Sequence, residues 1–362
     1  MHHVLIIGAG KIGSLIALLL SKQPDYQVHL SDINIHTPAL KHLAESNTRI
    51  RLTQLDATHP EQIQTFLQQH NIHAVVSSLP FFCNIHIAHA AHACKIHYFD
   101  LTEDVQTTNR ITELAADATT AFVPQCGLAP GFINIAAHDL MQRFDSLDAV
   151  KLRVGALPLH VSNALQYSLS WSTDGLINEY GNLCHAIERG EEVKLLPLDD
   201  IEEIEVDGLI YEAFNTSGGI GSLVSTYAGK VNSLNYKTIR YPGHCAKMRF
   251  LMNDLKLNND RPTLKRILEN ALPRIAQDMV LIYVSVTGMQ QSVFTEESYI
   301  KKFYTETIDN TVWHAIQHTT ASSICCVVDI VLTNPNHYHG LIKQEQFSLS
   351  AFLQNRFGNY YA

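Results

Sequence analysis

Along the first 125 residues, short continuously apolar runs alternate with stretches whose apolar positions recur at helical spacing. The segments HVLIIG (from His3), VHLSD (from Val28), IRLTQLD (from Ile50), HAVVSS (from His73), HYFD (from His97) and AFVPQ (from Ala121) read as strands. Between them, helices are predicted from Lys11, Pro38, Pro60, Cys83 and Asp104. Val4–Ile7 and Ala74–Val76 carry no polar alternation, as strands buried on both faces should. Strand and helix in strict rotation predict an α/β fold: a Rossmann-type doubly wound parallel sheet with helices on both faces.

The rhythm changes after QCGLAPGF, Gln125 to Phe132. Loops rich in Gly, Asn, Ser and Thr, such as NTSGGIGS from Asn215, now separate candidate strands such as AVKLRVGAL from Ala149 and MVLIYVSVTGM from Met279. This predicts a nucleotide-type domain over 1–128 and a second, α+β domain over 129–310. Residues 311–333 hold few charges and read as one long helix.

Composition narrows the class. The 362 residues are 46% hydrophobic and 17% charged, the balance of a globular protein large enough for two domains. A formal charge of -9 argues against a nucleic-acid partner, which requires a positive surface. The most apolar late run, ASSICCVVDIVL from Ala321, contains Asp329 and is too short to cross a bilayer. The start of the chain passes straight into a strand and a glycine loop and does not read as a signal peptide. Seven scattered cysteines without a CxxC pair are expected to be free thiols in a reducing cytoplasm.

The glycine loop is the first candidate for chemistry. Gly8-x-Gly10-x-x-Gly13 follows an apolar strand and opens a helix at Lys11 and Ile12. In such a loop the first glycine makes the turn, the second admits a pyrophosphate and the third lets helix and strand pack closely. Asp32 ends the second strand, where an acid bonds a ribose 2′-hydroxyl. No arginine follows it to receive a 2′-phosphate, so NAD is expected rather than NADP. Asp56 either faces the adenine edge or caps the helix before Pro60. Ser78, Leu79 and Pro80 lie at the carboxyl end of the fourth strand, and Cys126 and Gly127 at that of the sixth. Ligands of open α/β sheets bind at such ends, though the prolines would also serve simply to fix turns. His86, His89 and His92 are spread across a broad helical arc and fit a solvated face better than a metal site; no metal is expected.

A second cluster lies far downstream, in YKTIRYPGHC from Tyr236. As a strand it puts Tyr236, Thr238 and Arg240 on one face and Lys237, Ile239 and Tyr241 on the other. Pro242-Gly243 ends it, and a helix with Cys245, Met248, Met252 and Leu255 on its apolar side begins at His244. There the positive end of the helix dipole disfavours the imidazolium, so a neutral imidazole, basic near pH 7, is expected. Arg240 is suited to gripping a carboxylate with two hydrogen bonds; alternatively, Arg240 and His244 are structural. Asp174 and Glu179 offer negative charge to an amine, with Asp174 also a candidate N-cap. Thr216 and Ser217 lie in a loop that is either a carboxylate contact or a tight turn.

Taken in order, the glycine loop, LDATHP, SSLP, CGLAPG, WSTDGLINEY, EAFNTSGG and YKTIRYPGH resemble the saccharopine dehydrogenase-like superfamily, most closely its lysine 6-dehydrogenases. The resemblance implies that 311–362 returns to the nucleotide domain and that the second domain builds a homodimer. It implies NAD-dependent oxidative deamination of the side-chain amine of lysine or a related ω-amino acid, giving 2-aminoadipate semialdehyde and ammonia. On this reading His244, Arg240, Glu179 and Tyr241 are catalytic, and Arg240, Asp174, Thr216 and Ser217 hold the amino acid. The chain departs from the family pattern at HVSNALQYSLSW, which has no proline between Pro158 and Trp171. Reductive condensation of an amine with a carbonyl compound, as in saccharopine or carboxynorspermidine formation, is the enzymatic alternative. A non-catalytic NAD-binding protein is the other.

Overall fold

The computed structural model describes residues 1–273 and 277–362. These form two compact units, Met1–Leu128 with Gln317–Ala362, and Ala129–Ile316.

Unit 1 alternates β1 (His2–Ile7), α1 (Lys11–Ser21), β2 (Tyr26–Asp32), α2 (Pro38–Ser46), β3 (Ile50–Gln54), α3 (Pro60–Gln69), β4 (Ala74–Ser77), α4 (Phe81–Cys94), β5 (His97–Asp100), α5 (Val105–Leu114) and β6 (Ala121–Val123). The local chemistry accounts for the starts. Thr37 accepts the Leu40 N–H at 3.4 Å ahead of Pro38, and Asp104 accepts the Thr107 N–H at 2.7 Å. The fourth helix begins at Phe81, two residues before the expected Cys83, because Pro80 is already its N-cap. All strands are parallel, in the order β3-β2-β1-β4-β5-β6. Val4, Leu5, Ile6, Val75 and Val76 are fully buried, as their unbroken apolar runs require.

Unit 2 contains α6 (Phe132–Met141), β7 (Ser146–Pro158), α7 (Thr173–Gly181), β8 (Cys184–Glu188), β9 (Glu191–Leu195), β10 (Glu202–Val206), β11 (Leu209–Asn215), α8 (Leu223–Tyr227), β12 (Val231–Arg240), α9 (His244–Arg249), α10 (Arg261–Ala271), β13 (Asp278–Gln290), β14 (Val293–Tyr304), β15 (Glu306–Ile308) and β16 (Thr311–Trp313). Its eight-stranded sheet runs β10-β11-β12-β7-β13-β14, with β8 attached to β12 and β9 to β8. Only the β12–β7 pair is parallel. Met248 and Met252 pack with Leu176, Tyr180 and Phe214. Leu255, expected on the same apolar side, is exposed, because the chain leaves the regular helix after Arg249.

The long helix, α11 (Ala315–Thr333), starts later than the pattern suggested. Thr311–Trp313 pairs with β15 instead, and the Asp278 carboxylate receives the N–H groups of Ala315 and Ile316 at 2.6 and 3.2 Å. By length and composition α11 is the one helix among the described residues able to cross a membrane, but 83% of its apolar window is buried inside the protein. Its Asp329 accepts from Tyr26 at 2.8 Å and from Arg356, which also grips Asp25 at 2.7 and 2.9 Å. This charged network ties the C-terminal segment to the start of β2. Beyond it, β17 (Gly340–Leu341) extends the sheet beside β6, and α12 (Leu349–Gln354) follows.

At the amino ends of the strands, His2, His3, His29, His70 and His73 form a chain of ring contacts with centroids 5.4–6.3 Å apart, and Phe66 joins it 4.1 Å from His70. Burial, then the neighbouring His70 and His3, holds His29 down at about 4. Burial, then His73, does the same to His97, also to about 4. The unfolded chain therefore takes up protons below about 6.5 that the folded chain refuses until about 4. Stability should fall as the pH drops through that window. His29→Leu removes a buried ring nitrogen that has no partner. In urea titrations it should lessen that slope without loss of stability at pH 8. An unchanged slope would show that His29 contributes nothing to it.

Candidate active site

Three glycines of the β1–α1 loop play three different parts. Gly8 has φ of +103°, and a Cβ there would stand 2.7 Å from the Ser78 carbonyl oxygen. A Cβ on Gly13 would lie 1.8 Å from the Gly8 carbonyl oxygen, so the helix touches the loop as only glycine permits. A Cβ on Gly10 would meet no protein atom within 4 Å. Packing does not require glycine at position 10, whereas close approach of a pyrophosphate does. Gly10 is the N-cap of α1 and offers no side-chain cap, leaving the first-turn amides at Lys11 and Ile12 to an anion. These residues fit a dinucleotide.

Asp32 accepts the Ala9 N–H at 2.7 Å and the Asn34 N–H at 3.2 Å, which fixes the carboxylate beside the loop. No cation pairs with it among the described residues. Ser78 donates its N–H to the Ile7 carbonyl at 2.8 Å, and Leu79 covers Gly8. Asp56 turns back on its own segment, accepting from the Thr58 amide and hydroxyl at 2.9 and 2.7 Å. It does not cap α3, whose N-cap is His59. The hydrogen bonds from Thr58 hold its carboxyl below the usual range.

The loop after β6 is set by a fully buried carboxylate that the sequence did not single out. Asp100 accepts from the Tyr98 hydroxyl at 2.7 Å and from the Thr102 and Gln125 N–H groups at 2.9 Å each. Cys126 is fully buried, and its thiol donates to the Val123 carbonyl at 3.0 Å. Burial pushes that thiol far up, and it points into unit 1. Gly127 is buried beside it.

In unit 2, Arg240 stands at the centre of a cluster. Its Nε donates to the Tyr180 hydroxyl at 2.9 Å and its Nη1 to the Ile239 carbonyl at 2.8 Å. The guanidinium lies 4.9 Å from the Tyr167 ring centre and 5.9 Å from that of Tyr180. Tyr180 is 3.2 Å from Nε2 of His244, whose Nδ1 is 2.7 Å from the Leu165 carbonyl. A carbonyl can only accept, so Nδ1 carries the proton and Nε2 accepts from Tyr180. The hydrogen bonds thus run in one direction, from Arg240 through Tyr180 to His244 and on to Leu165.

His244 is neutral, as expected, but not for the expected reason. Burial first, then Arg240, holds its imidazole down at about 3, against a partial lift from the Leu165 carbonyl. The helix end is not the cause: the N–H groups of Gly243 and Cys245 are taken by the Glu212 carboxylate at 2.7 and 2.6 Å. So placed, the imidazole is too weak a base to collect protons at pH 7.

Glu179 is buried in the same cluster. Burial, then its negative charge, keeps Tyr236 protonated and pushes Cys184 up to about 12. The Glu179 carbonyl receives the Ser217 N–H at 2.9 Å. Thr216 shares a 2.7 Å hydroxyl bond with Thr238, on the Arg240 face of β12. Two candidates lie elsewhere. Tyr241 is on the opposite face, donating to the Pro158 carbonyl at 2.8 Å and facing the Tyr211 ring. Asp174 pairs with Lys265 at 2.6 Å in the first turn of α7, where the N-cap is Ser172. Tyr167 and Tyr180 were missed in the sequence, where nothing in their spacing sets them apart from core tyrosines.

Residues 4–124 match the saccharopine dehydrogenase NADP binding domain, and residues 127–355 the saccharopine dehydrogenase C-terminal domain. The chain belongs to the saccharopine dehydrogenase family. Family membership points to an NAD(P)-dependent oxidoreductase. The fold is shared with saccharopine dehydrogenase (L-Glu forming) from Saccharomyces cerevisiae, at a TM-score of 0.76 and 14% identity over 97% of this chain and 95% of that one. It is shared also with homospermidine synthase from Legionella pneumophila in complex with NAD, at a TM-score of 0.69 and 12% identity over 99% and 89%. The matched C-terminal domain of this saccharopine dehydrogenase family member includes α11 and most of the tail, which from Gln317 onward fold in unit 1.

Two substitutions separate the glycine roles. Gly10→Ala should leave thermal unfolding nearly unchanged and weaken dinucleotide binding at least tenfold by calorimetry. Gly13→Ala should destabilise the protein by about 3 kcal/mol through the clash with the Gly8 carbonyl. Equal effects on binding and stability in both variants would contradict the assignment. For His244, selective ¹⁵N-histidine NMR should show a neutral ring protonated on Nδ1 throughout pH 5–8, the signal being identified by its loss in His244→Asn. A titration midpoint between 6 and 7 would contradict the buried, Arg240-facing geometry.

Proposed function

We propose that the protein is an NAD-dependent amine dehydrogenase that oxidatively deaminates the side-chain amine of L-lysine or a related ω-amino acid. One observation carries the reading: a buried guanidinium, Arg240, and a buried carboxylate, Glu179, share one cluster in unit 2. An amino acid carries the complementary pair of charges, and its carboxylate would bind Arg240 in a two-pronged geometry. Glu179 would face the ammonium and take the proton that must leave before the amine can lose a hydride. Tyr180, held between Arg240 and His244, would keep the guanidinium in place; His244 then acts as a positioning residue, not as the base. The Gly8–Gly13 loop and Asp32 would hold NAD, which would supply the hydride acceptor; water would then add to the substrate imine and ammonia would depart, leaving the semialdehyde. Asp32, which pairs with no cation among the described residues, supports NAD over NADP, whose added phosphate it would repel.

The proposal includes a homodimer, and a reducing cytoplasm that suits seven free cysteines. The two structural relatives, a saccharopine dehydrogenase and a homospermidine synthase, keep reductive condensation of an amine with a carbonyl compound as the second reading. Incubation with L-lysine and NAD alone should produce NADH and ammonia in equal amounts. Dependence on an added aldehyde or oxoacid would establish the second reading instead. Arg240→Ala should lower kcat/KM for lysine by roughly 10²–10³ through loss of the charge-assisted pair, with NAD affinity unchanged. Near-wild-type turnover in that variant would remove Arg240 from the site.

A further inference from the structure

Arg240 is 3% exposed and His244 is wholly buried, so no substrate reaches Arg240 in the arrangement seen. Tyr180 and Phe214 cover part of this cluster, and one irregular stretch of chain covers another part. Between Pro158 and Thr173 the backbone forms no helix or strand, a length at which ordered loops are usually functional. Three consecutive residues of that stretch face the cluster. The Leu165 carbonyl accepts from His244, the Gln166 side chain donates to the Pro242 carbonyl at 2.8 Å, and the Tyr167 ring lies on the Arg240 guanidinium. Gln166 has a φ of +53°, a left-handed conformation that non-glycine residues adopt at a cost.

The stretch is organised as a separable piece. Asn163 donates to the Tyr167 carbonyl at 2.7 Å, and Trp171 donates its indole N–H to the Tyr167 hydroxyl at 2.9 Å. Both contacts move with the stretch. Among the described residues, the one backbone–backbone hydrogen bond made by 160–171 is local, from the Gln166 N–H to the Asn163 carbonyl. No ladder has to break for it to leave. Its hold on the rest of unit 2 is through side chains: Tyr167, with Leu165, Leu169 and Trp171 beside it, packs on the core around Leu176, Tyr180 and Phe214, and its ring occupies a face of Arg240.

We propose that residues 160–171 form an autoinhibitory strap whose Tyr167 covers Arg240 and is displaced when a carboxylate-bearing amino acid binds there. The proposal rests on Arg240 as the substrate anchor. A carboxylate makes charge-assisted bonds to guanidinium that outcompete an aromatic face, whereas a diamine without a carboxylate has nothing to exchange. The strap therefore selects for amino acids over simple amines, and holding it closed reduces apparent affinity by the fraction of open molecules.

The chain has two tryptophans, Trp171 in the strap and Trp313 in β16, whose indole nitrogen is buried without a partner. Trp313→Phe removes that unpaired group and leaves Trp171 as the sole reporter. Its emission should shift on titration with L-lysine, and equally with L-norleucine, which keeps the carboxylate but lacks the side-chain amine. Cadaverine, which lacks the carboxylate, should produce no shift. Gln166→Ala, which loses the contact to Pro242, should lower KM for the amino acid three- to tenfold without changing NAD affinity. No spectral shift with either amino acid, or an equal shift with cadaverine, overturns the strap, whether or not lysine is turned over. A shift with both amino acids but no NADH from lysine leaves the strap standing and removes the lysine reading.

Discussion

A guanidinium taken out of water governs the second unit. Arg240 is permanently charged, and burying it is tolerable only if protein groups replace its hydration. The replacements come from three places in the sequence: Tyr180 and, electrostatically, Glu179 on α7, Ile239 on its own strand, and Tyr167 from the long loop. Satisfying one charge fixes where α7, β12 and the loop meet. Burial first, and then the same charge, keep His244 neutral at the far side of Tyr180.

That coupling alters the natural reading of a histidine after Pro-Gly. In isolation it looks like a proton acceptor at a helix start. In place, its Nδ1 proton is committed to Leu165 and its lone pair to Tyr180, so both functions of the ring are spent on orientation. Glu179 is the buried carboxylate of the same cluster. A site can be built this way: rigid groups set direction, and a separate carboxylate handles the amine.

In unit 1, most of the architecture was legible in the residues. The apolar runs at Val4–Ile7 and Ala74–Val76 became central parallel strands, and Thr37, Pro38 and Asp104 opened helices where expected. These features are local: a strand buried on both faces must be apolar throughout, and a cap acts within four residues. Errors fell where distant chain decided the outcome. Thr311–Trp313 left the predicted helix because a neighbouring strand was available, and Asp174 lost its capping place to Ser172 and its charge to Lys265.

The sequence by itself determined the nucleotide loop, the alternation that makes a parallel sheet, and the presence of Arg240, Glu179 and His244. Glycine spacing and hydrophobic period act over one turn or one strand, and short-range order can be read from short-range pattern. Tertiary structure alone decided that Gly10 is spare to packing while Gly13 is not, that Tyr241 faces away while Tyr180 faces in, and that the imidazole is inert. Those outcomes depend on burial and on contacts between groups more than fifty residues apart in the chain, as Arg240 and Tyr180 are. Desolvation is a property of the packed interior, and no window of sequence contains it.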